Sequence, residues 1–283
     1  MALSSILAAT DFSARSERSV ARAARLAAAH GAALILVHVM DDDRSPALVG
    51  AERAVAEALL QKAAASLAPA PSDVLLLSGD PFQEIAAATE RGAPDLLVVG
   101  AHRPRPIGDY FIGTTAERVI RASRRPVLMA KGPADGAYRR VLVAVDFSAA
   151  SATAARALAA LELAGEAEVV LVHVRKSAAD TLFLRGGMTI AERERSLAEI
   201  SARLSERLAA FAAHAGLRAS RRIVASGDEG DAGAILATAE AVGADLVVIG
   251  TRGRSRGRAI LLGGVAEAVL RDSAIDVLAV PMR

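Results

Sequence analysis

The chain has 283 residues, 53% of them apolar and 3% aromatic, with no cysteine and a net charge of +2. That length favours two domains, and the missing thiols exclude disulfide frameworks, thiol catalysis and cysteine-based zinc sites. Three of the 34 basic residues are lysines, so the sequence pI of about 9.4 reflects arginines rather than a basic nucleic-acid face.

Short aliphatic runs alternate with longer amphipathic ones, the pattern of an α/β fold whose parallel sheet carries helices on both faces. Strands are predicted over 4–10, 33–39, 73–78, 95–100 and 126–130, with helices over 14–30, 50–67, 82–92 and 115–123. Asp11-Phe-Ser13 starts the first helix with Ser13 as its N-cap, and Gly31 stops it. Lys131-Gly-Pro-Ala-Asp-Gly-Ala137 breaks the alternation with turn formers and reads as a linker. Beyond it, strands recur over 139–145, 168–174, 221–226, 245–250 and 276–280. Here Ser148 caps the first helix and Gly165 stops it. No run reaches the roughly 18 apolar residues of a membrane span, and no leader-like segment opens the sequence. A soluble, cytoplasmic protein is expected.

The second set of elements copies the first. Asp11 and His38 match Asp146 and His173 at a spacing of 135 positions, while Gly100 and Gly113 match Gly250 and Gly263 at 150. Units this long are domains rather than solenoid repeats, so the chain is a tandem duplication with domains at 1–132 and 138–283. The second copy has an insertion, most of it between Val174 and Gly227. It includes Leu184-Arg-Gly-Gly-Met188 and reads as a longer loop with extra helical turns.

In open α/β sheets, ligands bind beyond the carboxyl ends of the strands, where strand order reverses. Asp11, Val39 and Gly100 fall at that edge in the first copy, and Asp146, Val174 and Gly250 in the second. After Gly250 the chain continues through Gly253 to Gly263-Gly264 and a helical run. Glycines admit a phosphate to the backbone, and a helix N-terminus adds positive potential.

These residues resemble the universal stress protein family, whose nucleotide-binding members carry Gly-x2-Gly-x9-Gly-Ser/Thr after the fourth strand. The resemblance covers nearly the whole chain as two copies. It implies two Rossmann-like domains of the adenine nucleotide alpha hydrolase type, each with a five-stranded parallel sheet, and binding of ATP, with or without Mg²⁺. By this resemblance Asp146 would meet the ribose or base, Val174 would meet adenine through its backbone, and Gly250, Gly253, Gly263 and Gly264 would surround the phosphates. Asp11, Val39, Gly100, Gly113 and Thr114 form a weaker first-copy counterpart. There Arg103 replaces a glycine, and Pro104 and Pro106 lack amide donors. The family's dimers also imply pairing of the runs at 127–130 and 277–280 into an internal pseudo-dimer, with a further homodimer open.

Plainer readings stand beside these. Asp11 and Asp146 could cap a turn, Thr114 fits a capping box with Glu117, and Gly264 is acceptable as an N-cap. His38 and His173 lie in apolar runs as core residues, and the five histidines lack metal-ligand spacing. Arginines 252, 254, 256 and 258 could draw phosphate or face solvent. No Gly-Lys dipeptide or catalytic triad spacing occurs, so no catalytic or metal-binding residues are assigned. The alternatives to a nucleotide-binding regulator are a stress-response scaffold and, at most, a slow ATPase.

Overall fold

The computed structural model describes residues 2–41, 46–101, 115–175, 190–228, 230–251 and 262–282. Among them, ten strands form one sheet. In the first half these are β1 (Ser5–Ala9), β2 (Ala33–Met40), β3 (Asp73–Ser78), β4 (Leu96–Gly100) and β5 (Val127–Ala130). In the second half they are β6 (Arg140–Ala144), β7 (Glu168–Arg175), β8 (Ala219–Ser226), β9 (Leu246–Gly250) and β10 (Asp276–Val280). The helices are α1 (Ala14–His30), α2 (Pro46–Ala65), α3 (Pro81–Gly92), α4 (Thr115–Ala122), α5 (Ala149–Ala160), α6 (Ile190–Ala215), α7 (Asp231–Val242) and α8 (Gly264–Asp272).

Strand order is β3-β2-β1-β4-β5-β10-β9-β6-β7-β8. Within each half the pairs are parallel, and the halves meet where β5 runs antiparallel to β10, Leu128 opposite Leu278. The sheet is therefore mixed. Each half has its order reversal between the first and fourth strands, β1/β4 and β6/β9.

Both faces of the sheet are covered, which explains the unbroken Val/Leu/Ile runs. Alternate residues point to opposite sides. Ile6 and Ala8 meet α1 residues Val20, Ala23 and Ala27 on one face, while Leu7, Val37 and Leu97 join Ile85, Val119 and Ile120 of α3 and α4 on the other. The small alanines of α1 and α5 let both helices lie close to the strands.

Ser13 and Ser148 are the N-caps of α1 and α5, accepting from the amides of Ser16 and Ser151, and Gly31 ends α1 at φ 64°. Gly165 departs from expectation. α5 stops at Ala160 with Leu161 as its C-cap, and Gly165 occupies a left-handed position (φ 49°) in the turn beyond. A second left-handed residue, Glu162, helps make that turn, so the helix ends before the glycine. α6 has 26 residues against 20 in α2, which accounts for extra helical turns in the second copy. Residues 184–188 lie outside the described residues.

The segment joining the halves is tied down by one buried carboxylate. Asp276, with no exposed surface, accepts the Lys131 and Gly132 amides on Oδ1, both at 2.8 Å. Its Oδ2 accepts Arg22 Nε at 2.9 Å and the Tyr138 hydroxyl at 2.7 Å. Arg22 sends its remaining nitrogens to the carbonyls of Gly136 (2.7 Å) and Pro133 (2.5 Å). Burial, followed by the Asp276 charge, pushes the Tyr138 phenol well above its ordinary value and keeps it a donor. Lys131 Nζ donates to the carbonyls of Leu270, Arg271 and Ser273, satisfying the C-terminal end of α8. Arg121 of α4 also reaches Glu267 of α8 at 3.4 Å.

Removing the Asp276 carboxylate would strand a buried guanidinium and two amides. Asp276→Ala is expected to lower the unfolding free energy by about 3–5 kcal/mol in a urea melt. Arg53→Ala, at an exposed pair with Glu57, should change it by no more than about 0.5 kcal/mol.

Candidate functional site

Both halves build the same turn after their first strand from Asp-Phe-Ser-x-x-Ser. Phe12 and Phe147 each take φ 60°, a left-handed conformation that costs a bulky residue roughly 1–2 kcal/mol. Each ring lies against a histidine, Phe12 on His38 and Phe147 on His173, at centroid separations of 4.1 and 4.6 Å. The histidines hold the strand ends, with Nδ1 of His38 bonded to the Thr10 carbonyl at 2.8 Å and that of His173 to the Val145 carbonyl at 2.6 Å. They are satisfied structural residues.

The left-handed phenylalanine folds the chain so that the aspartate before it accepts the amide two residues on. Asp11 Oδ1 takes the Ser13 amide at 3.0 Å and the Ser13 hydroxyl at 2.5 Å; Asp146 Oδ1 takes the Ser148 amide at 2.9 Å. Both aspartates therefore do stabilise the turn. Desolvation acts to raise the Asp11 carboxyl, but the hydroxyls of Ser13 and Ser16 and the Ser13 amide outweigh it and hold it below its ordinary value. It stays ionised at neutral pH, and its contribution to stability is lost only as pH falls through that lowered value.

The reversal point between β1 and β4 opens into a cavity of about 220 Å³. Asp11, Val39 and Gly100 all line it, so three of the expected first-half residues come together. Gly113 and Thr114 lie outside the described residues. Thr10, Ser16, Val37, Ile85, Val99 and Thr115 also line the cavity and were not expected there. Of these, Ser16 was open to detection, because Ser151 repeats it at the spacing of the aspartates. Its hydroxyl lies 3.1 Å from Thr10 Oγ1 and 3.2 Å from the Asp11 amide that donates to it.

The strand backbones add a second feature. The Thr10 amide donates to Val37 O, and the Val145 amide donates to Val172 O. In a parallel ladder, a residue's amide and carbonyl share one side, which recurs every second residue. Val39 and Val174 therefore aim an amide and a carbonyl past the ends of β1 and β6, into the reversal point.

At the second-half edge, Asp146 follows β6, Val174 lies in β7 and Gly250 ends β9. Gly263 is the N-cap of α8 and Gly264 its first residue, so the cap falls one position before the Gly264 expected. The Gly263 amide donates to Thr251 O at 2.9 Å, while the first amides of α8 have no partner within the helix. Gly253 and arginines 252, 254, 256 and 258 lie outside the described residues. Gly250 also has a packing reason to be glycine: a Cβ there would come within 2.8–3.0 Å of Ala150 in α5. Gly100 is the milder equivalent, at 3.3 Å from Ser16. Among the described residues, no group of three or more metal-ligating side chains is present, and no helix is long and apolar enough to cross a membrane.

A family model, the universal stress protein family, matches residues 3–131 and again 137–281. The chain belongs to the universal stress protein family. A universal stress protein encoded in the QAH/OAS sulfhydrylase 3′ region of Thermus aquaticus is 32% identical over 139 residues, 44% of this chain and 97% of that relative. Two solved structures share the fold over the whole chain. A universal stress protein from Archaeoglobus fulgidus has a TM-score of 0.70 at 23% identity, covering 98% of both chains. A protein of unknown function from Pseudomonas aeruginosa PAO1 has a TM-score of 0.66 at 22% identity, covering 99% of this chain and 93% of its own.

In this universal stress protein, Gly250 and Gly264 should respond differently to an added methyl. Gly250→Ala is expected to destabilise the fold by about 1–3 kcal/mol, because backbone of α5 must move. Gly264→Ala, with nothing within 4 Å of the new Cβ, should stay within about 0.5 kcal/mol of the parent. Thermal melts of both variants check this.

Proposed function

We propose that this universal stress protein binds an adenine nucleotide, ATP, in its second half and serves a stress response as a regulatory protein. The observation that carries the reading is the arrangement at the β6/β9 reversal point. The paired amide and carbonyl of Val174 can meet the donor and acceptor of a purine edge. Asp146 keeps acceptor capacity beyond its turn for ribose hydroxyls. The N-terminus of α8 faces the same edge with donors and positive potential suited to phosphates. Gly250, Gly253, Gly263 and Gly264 would form the phosphate cradle, and Mg²⁺ would offset charge on the phosphates when bound. Bound ATP would supply a phosphate chain for the protein to hold; the chain's own residues bind and orient it.

We further read residues 1–132 and 138–283 as two domains held in an internal pseudo-dimer through β5 and β10. A scaffold reading without nucleotide is favoured by two observations. The Gly263 amide is already engaged by Thr251, and Gly250 is accounted for by the approach of α5. Equilibrium dialysis with labelled ATP separates the two readings. Uptake at millimolar ATP, abolished by Gly253→Leu and retained in Gly113→Leu, is expected. Folded parent protein that takes up no ATP would leave the scaffold.

A further inference from the structure

The two halves present different outer surfaces on equivalent helices. At a spacing of 148 positions, Leu60 and Ala64 of α2 match Leu208 and Ala212 of α6, and Gly79 matches Gly227. All four helix residues are buried in the same core. On the solvent side the match ends, because Arg203 and Arg207 of α6 stand where α2 has Val55 and Leu59. Arg203 reaches Glu199 at 3.7 Å, and the Arg207 guanidinium stacks over the Phe147 ring at 4.1 Å. The second half thus has a charged surface with partners of its own. Val55 and Leu59 are instead 60% and 41% exposed, the most exposed large hydrophobic side chains among the described residues.

Single exposed apolar residues need no explanation, but these two belong to an ordered stripe. Glu52, Val55, Leu59 and Lys62 are spaced by three, four and three residues, which sets them along one side of α2. The order acid, apolar, apolar, base is self-complementary in one orientation. Against a second copy running antiparallel, with the two-fold axis level with position 57, Val55 meets the other Leu59 and Glu52 meets the other Lys62. Parallel packing would set like charge on like charge. Ala54 and Ala58 are exposed beside the stripe and small enough to let two helices close. Strand order also puts β3 and β2, on which α2 packs, at the outer flank of the sheet, away from the β5–β10 joint.

We propose that the protein associates with a second copy of itself through α2, in a two-fold dimer that pairs Val55 with Leu59 and Glu52 with Lys62. The arginines of α6 withhold the second half from the same contact, so association closes at two chains rather than growing into a filament. One helix pair is a small surface, below the roughly 1,200 Å² at which stable complexes begin, so the dimer is reversible and depends on concentration. This inference does not rest on nucleotide binding in either half.

Sedimentation equilibrium of the full chain without nucleotide, from low micromolar to near-millimolar protein, tests it, with circular dichroism to confirm folding of each variant. The parent is expected to pass from monomer to dimer over that range. Leu59→Arg, which installs the residue type of the second half, should remain monomeric throughout. Lys62→Glu should weaken association by at least about tenfold, because it sets acid against acid. The double variant Glu52→Lys with Lys62→Glu restores opposite charges across the axis and should recover most of the parent affinity. The inference is overturned if the parent stays monomeric at the highest concentration, if the dimer survives Leu59→Arg, or if the double variant associates no better than Lys62→Glu.

Discussion

Antiparallel pairing of β5 with β10 turns two five-stranded halves into a single sheet, and one buried carboxylate fastens the joint. Two free sheet edges would otherwise face solvent as templates for aggregation. Asp276 binds the chain just after β5, α1 through Arg22, and Tyr138 at the entry to β6. All four of its acceptor positions are used, which is the condition under which a buried charge is tolerated. None of these partners belongs to the repeat. Position 126, which would correspond to Asp276 at the spacing of 150, is a proline, and position 157, which would correspond to Arg22 at 135, is an alanine. The duplication supplied two similar halves, and an asymmetric polar cluster joins them.

The same economy shapes the reversal points. Helices α1 and α5 start directly over the ends of β4 and β9, so closely that a side chain at Gly250 would clash with α5 and one at Gly100 would crowd α1. Placing the helix there positions its first turn, with an aspartate and two serines, beside the strand whose backbone runs past its neighbour. Packing alone thus gives position 250 a reason to be glycine. A glycine at position 250 is therefore weaker evidence for phosphate than its place in a motif suggests. The amide and carbonyl of Val174, carried past the end of β6, are a feature that the close approach of α5 does not account for.

Most of the fold was legible in the sequence because its elements are bounded by local signals. Aliphatic runs marked every strand to within two residues, and Ser13, Ser148 and Gly31 acted as expected. Gly165 misled because a turn with two left-handed residues replaced a simple helix end. The left-handed Phe12 and Phe147 were invisible, since propensity argues against them and tertiary contact with His38 and His173 enforces them. The Asp276 cluster joins residues 254 positions apart, and no periodicity signals that. At the candidate site, Asp11, Val39 and Gly100 converge as their positions at strand ends suggested. The threonine and valines around them take their roles from three-dimensional packing alone.

Native-state hydrogen exchange at the β5–β10 joint tests the central claim most directly, namely that this pairing makes the two halves one cooperative body. Amides of Leu128, Met129, Val277 and Leu278 that pair across the joint, together with those of Lys131 and Gly132, should exchange only through global unfolding. Their opening free energy should equal that of the central strands β1 and β6. Exchange at the joint with a clearly lower free energy, while β1 and β6 stay protected, would show two independent bodies resting against each other and would contradict the account.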